Sequence, residues 1–464
     1  MIHPPVSPSF RISDSQRRIS LNQPVVLLLY VMAALATACA ELLAQSVPMD
    51  RGTAVAEVLS PTASFNRRPP GESRFEVVEH KAKLRTGELL VALPGAQFRT
   101  ISGDVALTCR ADFEGKSPLP ILETAIILHE PGEADLSLTL QRGRIDLVNQ
   151  KSSGATTIKI RFRDRQWKVV LDRIGSRVAV ETIARWAPGT PLYRADPPKD
   201  HAPITSVVLL VLAGTADVSD GRITLALSAP PGPAMVSWTS SDETPLNAQK
   251  LEEIPDWAKE SFLPPLSAQT TAAAVEKFRQ LRAERPEIAV SRFVQSPDAT
   301  ERRIGLIAAG AFDDLDRVVD AVQAANDLPT WDFAVSVLRH WLGRDVGQDQ
   351  SLYQYFRDRR FTPAEAETAI TLLHGFTAQE QQQPETFDVL IEYLLHERPL
   401  IRNLAAWHLR RLAPAGKNIP FLPNATPEQM QQGYNAWRKL IPVGKLPPPI
   451  QSEPKSTIAG DNDP

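Results

Sequence analysis

Only two cysteines occur among the 464 residues, Cys39 and Cys109. No disulfide framework can therefore carry the chain, and packing has to stabilise it, which its length permits. An excess of one charge is also missing. With a formal net charge of −3, no global field draws in nucleic acid or an anionic membrane. No glycine-rich loop precedes a Lys-Ser/Thr pair and no serine stands in a G-x-S-x-G elbow, so the P-loop phosphate cradle and the hydrolase nucleophile turn are both absent. The eight histidines include no pair one helical turn apart with a glutamate beside them, and His396–Glu397 has no partner at i+4. That removes the zinc-protease helix. Uninterrupted apolar runs stay below the roughly 18–20 residues that span a bilayer as a helix. No catalytic constellation, metal or cofactor is expected on these grounds.

What the chain does carry begins near its start. The apolar segment Val25 to Ala40 holds 16 residues, follows Arg17 and Arg18, and leaves through Ala38, Cys39 and Ala40. A basic region, an apolar stretch of this length and a small-x-small exit predict export, with residues 1–45 as a signal cut after Ala40 or near Ala44. Two other fates fit the same residues. A signal-anchor would be retained through residues 25–44, and a lipoprotein would be modified at Cys39, behind Thr37 and Ala38. The Arg17–Arg18 pair resembles a twin-arginine signal, but Ser20 occupies a position where an apolar residue is expected. The expected compartment is extracytoplasmic: periplasmic, secreted, or on the outer side of the inner membrane. A membrane is met only through residues 25–44, if these stay uncleaved or Cys39 is lipidated.

Forty prolines, well above the average of about 5%, punctuate the remainder. From about residue 53 to 240 the chain alternates. Ile158, Ile160 and Phe162 share one strand face, and Lys159, Arg161 and Arg163 share the other. Leu136, Leu138 and Leu140 repeat the device before Gly143, while Val207 to Ala213 reads as a buried central strand. Short strands about every ten residues predict an all-β sandwich or open barrel. Residues 241–269 read as a proline-rich linker. Over 270–441 the period turns helical. Apolar segments end near Phe312, Leu342, Phe376 and Leu412, separations of 30, 34 and 36 residues, which fits a HEAT-like helical repeat or an irregular bundle. Thr362-Pro363 with Glu365, and Thr426-Pro427, mark helix starts. A disordered tail is expected over 442–464. The fold class is thus multidomain, β then α.

Two basic clusters are candidates for binding. Lys159, Arg161, Arg163, Arg165 and Lys168 surround Phe162 and Trp167. That mixture resembles a nucleic-acid face, but export removes nucleic acid as a partner. What remains is a solvated strand face, or a site for anionic glycans or lipid headgroups. Tyr353, Tyr355, Phe356, Arg357, Arg359, Arg360 and Phe361 form the second cluster, with Tyr353 and Phe356 expected in the core. His340, His374 and His408 recur 34 residues apart. They are either a histidine column that binds a metal or residues that flank successive helix ends, and the second reading is preferred. Cys109, within the alternating run Val105 to Ala111, reads as a buried thiol. Glu252–Glu253 and Asp313–Asp314 read as linker or helix-start charge.

Leu84, Thr86, Gly87, Glu88 and Leu89, then Gly103, Asp104 and Val105, then Leu138, Leu140, Gly143, Arg144 and Ile145 are similar to the FecR-type domain, as it occurs in large exported proteins of planctomycete-type bacteria. The resemblance spans at most residues 54–230. It implies an all-β, extracytoplasmic module, and its founding members relay signals to an anti-sigma system at the inner membrane. Only 24 residues precede the apolar segment, scarcely enough for a cytoplasmic interface of standard size, so the relay is not carried over. The expectation is an exported, non-enzymatic binding or structural protein of the cell envelope whose partner is a protein or a cell-surface polymer. The alternatives are a membrane-anchored FecR-like envelope sensor and a glycan-active β-sandwich enzyme with paired carboxylates.

Overall fold

A computed structural model describes residues 52–110, 122–193, 201–242, 244–255, 258, 266–421 and 423–449. The export segment with Cys39, and the tail beyond residue 449, lie outside these residues. The first half is built of strands: β1 (Ala54–Val58), β2 (Phe65–Arg68), β3 (Glu76–Val77), β4 (Lys83–Arg85), β5 (Leu89–Ala92), β6 (Gln97–Thr100), β7 (Val105–Arg110) and β8 (Thr124–His129). Then come the long β9 (Leu136–Asn149), β10 (Thr156–Phe162), β11 (Arg165–Leu171), β12 (Arg177–Arg185) and β13 (Ile204–Ala213). The series ends with β14 (Thr215–Ser219), β15 (Thr224–Ser228), β16 (Gly232–Thr239) and β17 (Ala248–Leu251).

These strands form two layers that share β9. One layer runs β4-β1-β6-β7-β9-β12-β13-β16-β17. The other runs β3-β2-β5-β8-β9-β10-β11-β14-β15, and its β9–β10 pair is parallel. Alternation decides what lies between the layers. Val178, Val180, Leu209 and Val211 from the first meet Ile158, Ile160, Val169 and Leu171 from the second in one core. β9 passes from layer to layer at Gly143. Its φ there is +101°, and a Cβ would stand 2.4 Å from the Thr124 Cα. A residue with a side chain is excluded by both conformation and space.

The second half is helical: α1 (Leu266–Glu284), α2 (Pro286–Val294), α3 (Ala299–Ala311), α4 (Leu315–Ala324) and α5 (Leu328–Gly343). It continues with α6 (Gln348–Asp358), α7 (Pro363–His374), α8 (Pro384–Tyr393), α9 (Pro399–Leu412) and α10 (Pro427–Leu440). Asp298, Asp327, Thr362 and Thr426 each accept a hydrogen bond from the backbone three residues on, and Thr362/Glu365 and Thr426/Gln429 are complete capping boxes. Consecutive helices pack as pairs, α2/α3, α4/α5, α6/α7 and α8/α9, while α3, α5, α7 and α9 also stack on one another in a row. That row is the apolar one. Helix α3 buries every residue from Ile304 to Ala311, and α9 buries Leu400 to Leu409. Helix α9 also reaches back to α4, where Asn403 Nδ2 donates to Val322 O at 2.9 Å.

The chain is β then α. The described residues from 52 to 449 nonetheless belong to one compact unit. The span read as a linker contains β17, paired to β16, and α1 begins at Leu266. Its prolines and polar residues gave no alternation from which Ala248–Leu251 could be read. Among the described residues no helix is long and apolar enough to cross a membrane.

Candidate functional site

Two polar regions of opposite character stand out. The first is the seam where the helices meet the sheets. At its centre Glu123, next to β8, accepts from Arg142 Nε of β9 at 2.5 Å, and its Oε1 lies 3.3 Å from His340 Nε2 of α5. Burial alone would raise the Glu123 carboxyl. The charges of His340 and Arg142 outweigh it and hold the group below the ordinary carboxylate range. Nearby, Asp313 accepts from Arg68 Nη1 of β2 at 2.7 Å, from Trp341 Nε1 at 2.9 Å, and from Arg344. Burial, with Arg142 adding repulsion, brings the Arg344 guanidinium down to about 10.

The chain between β12 and β13 extends the seam. Trp186 Nε1 donates to Leu342 O at 3.0 Å, Gly189 N donates to Gly375 O at 2.9 Å, and His201 Nε2 lies 3.1 Å from Asp349 Oδ2. His374 Nδ1 is 2.6 Å from Thr190 O, so Nδ1 carries the proton. The buried Nε2 is left without a partner. The Trp186 ring centroid lies 4.7 Å from His201 and 5.3 Å from His374. Burial lowers the pKa of His374 and brings His408 down to about 4. Both rings are therefore neutral packing groups at pH 7. The three histidines spaced 34 apart go to Glu123, Thr190 O and Leu372 O. Among the described residues no group of three or more His, Cys, Asp or Glu is placed to hold a metal ion.

The second region is the β10–β11 hairpin. Alternation puts Ile158, Ile160, Phe162, Trp167 and Val169 inside and Lys159, Arg161 and Lys168 outside, while Arg163 lies in the turn and Arg165, opposite Phe162, is exposed at the hairpin end. Trp167 does not share the cationic surface. It is 1% exposed and packs edge-on against Phe162 at 5.2 Å. Lys159 lies directly opposite Lys168, and Arg161 opposite Gln166, to which its Nε donates at 3.2 Å. Arg163 occupies the turn with φ +53° and donates to Pro203 O at 2.7 Å, while Arg165 sits 5.9 Å from the Trp238 ring centroid. Among the described residues, none of these five cations is within ion-pair distance of a carboxylate. Like charges directly opposite on neighbouring strands are unfavourable, so the folded sheet does not need this arrangement.

The register extends the face beyond what periodicity could show. His129 of β8 is opposite Ser137 of β9, Ser137 beside Lys159, Lys159 opposite Lys168, Lys168 opposite Ser219, and Ser219 opposite Thr224. Six residues from six strands thus form one cross-strand row. The Ser137 Oγ is buried without a hydrogen-bond partner, and His129 Nε2 is 2.7 Å from Thr139 Oγ1. Asp217 stands one row along on this face, opposite Val170. Helix α3 covers the far end of the face, with Ala311 and Phe312 against Val91 and Ala125, and leaves Lys168 and Thr224 exposed.

The second basic cluster of the sequence is committed internally. Phe356 is buried, Arg359 lies 3.5 Å from the Tyr355 ring centroid and pairs with Asp316, and Arg398 stacks on Phe361 at 4.6 Å. Cys109 is fully buried, which pushes its thiol pKa far up. Comparison with protein-family models, curated proteins and solved structures finds no match.

Proposed function

We propose that this chain is an exported, non-enzymatic binding protein of the cell envelope that acts by surface contact. The observation that carries the reading is the group of five hairpin cations that, among the described residues, have no carboxylate within ion-pair distance, beside a seam whose charges are closely paired. A charge kept unneutralised against its own like neighbour finds its counter-ion outside the fold. Export comes from the sequence, through residues 1–45. The FecR-type resemblance, which implies an extracytoplasmic module, agrees with this reading.

Cell fractionation of the producing organism tests this. The full chain is expected in the envelope or periplasmic fraction, with the envelope-bound part released by salt above about 0.5 M, where the Debye length falls to a few ångströms. Recovery in the cytosol, or envelope association that salt does not weaken, contradicts the reading.

A further inference from the structure

We propose that the row His129–Lys159–Lys168–Ser219–Thr224, in which the buried Ser137 only spaces His129 from Lys159, is a track for one chain of an acidic polysaccharide laid across the strands. The inference rests on the binding role proposed above and names its ligand class. Five steps between neighbouring strands at about 4.8 Å give a row of about 24 Å. That length fits an extended polymer rather than a single small anion. The cations sit at its middle, where Lys159 and Lys168 face each other. On one side of them stands the exposed hydroxyl of Thr224, beyond Ser219, whose own hydroxyl is held by Ile223 O and Gly221 N; on the other side Ser137 is buried and His129 closes the end. A carboxylated sugar chain offers anions to the paired lysines and hydroxyls to Thr224.

The same face disfavours the other polyanions. Nucleic-acid grooves offer aromatic faces for bases to stack on, and here Phe162 and Trp167 both point inward. Lipid-binding surfaces insert apolar side chains beside their cations, whereas the outward positions of β10 and β11 are Thr157, Lys159, Arg161, Gln166, Lys168 and the half-buried Val170, which does not project for insertion. The centres of protein interfaces are apolar and poor in lysine. A lysine is a compact point charge on a flexible stem, so the facing pair can follow carboxylates along a sugar chain.

Calorimetric titration of the purified full chain with polygalacturonate, single-stranded DNA and phosphatidylglycerol vesicles tests the assignment. Polygalacturonate is expected to bind tightest. Its affinity should fall at least tenfold in Lys159→Glu/Lys168→Glu and fall measurably in Lys159→Gln/Lys168→Gln, which guards against misfolding of the reversed-charge protein. The exposed pair Lys439→Glu/Lys445→Glu should change it less than twofold. Equal losses in the two Glu pairs, absence of polygalacturonate binding at low salt, or tighter binding of DNA or vesicles each overturn the track. The envelope reading is judged separately: salt-sensitive envelope association that survives Lys159→Glu/Lys168→Glu would leave it standing while removing this ligand class.

Discussion

The seam and the hairpin face are both rich in cations, and they use them in opposite ways. In the seam Arg142 meets Glu123, and Arg68 and Arg344 converge on Asp313. On the hairpin Lys159 meets Lys168. In sequence the two look alike, as basic residues interleaved with apolar ones. The difference lies in what the fold brings opposite each charge, and it separates charge used for architecture from charge that, on the function proposed above, is left for a partner.

The largest effect is expected where that architecture is broken. Glu123→Ala leaves Arg142 buried without its counter-ion, which costs about 3–5 kcal/mol. Urea unfolding followed by tryptophan fluorescence should show the sheet and helical regions losing stability together, since Glu123 is shared by β9 and α5. A seam that merely brings two independent domains into contact would instead give two transitions, only one of them shifted.

Acid gives the next largest effect. His408 titrates at about 4 in the folded chain against an ordinary 6.5. Its depressed pKa means that the unfolded state takes up the proton first. Stability is then full above pH 6.5 and falls as the pH drops from 6.5 toward 4, by about 3 kcal/mol for this group. His374 acts with the same sign. Thermal melts from pH 7.5 to 4.5 should therefore show Tm falling, and His408→Gln should flatten the slope. An unchanged slope would remove His408 as its source.

The smallest stability effect should have the opposite sign. Lys168→Glu replaces a like-charge facing pair with an attractive one, and about 0.2–1 kcal/mol of added stability is expected at low salt. Raising ionic strength to 1 M should erase most of that gain, because Lys168 is exposed and Lys159 only half-buried, and should leave the Glu123 effect nearly intact. A Lys168→Glu protein that is less stable at low salt would mean that the face is structural after all.

Much of the fold was legible because local pattern and burial agree in it. The alternation of Ile158, Ile160 and Phe162, the apolar run of β13 and the helix start at Thr362 all follow from short-range chemistry. Even the helix ends near Phe312, Leu342, Phe376 and Leu412 fall within two residues of the observed last turns. The candidate site was legible only in part. Periodicity placed Lys159 and Arg161 outward, but Trp167 had been grouped with them, although its own strand alternates it into the core. His129, Ser137, Ser219 and Thr224 lie on four other strands and join the row only through register, which no local window contains. The seam was not legible at all. Its pairs lie far apart in sequence, by 217 residues in Glu123–His340 and 245 in Arg68–Asp313, and nothing near either residue announces the other.

The contrast between the two regions is tested most directly on Lys159→Glu/Lys168→Glu, with stability and polygalacturonate affinity measured on the same preparation. Removing a binding charge should leave Tm unchanged or higher while affinity falls at least tenfold, a change of about 1.4 kcal/mol. A lowered Tm with undiminished affinity would place these lysines with the seam, as architecture, and contradict the account.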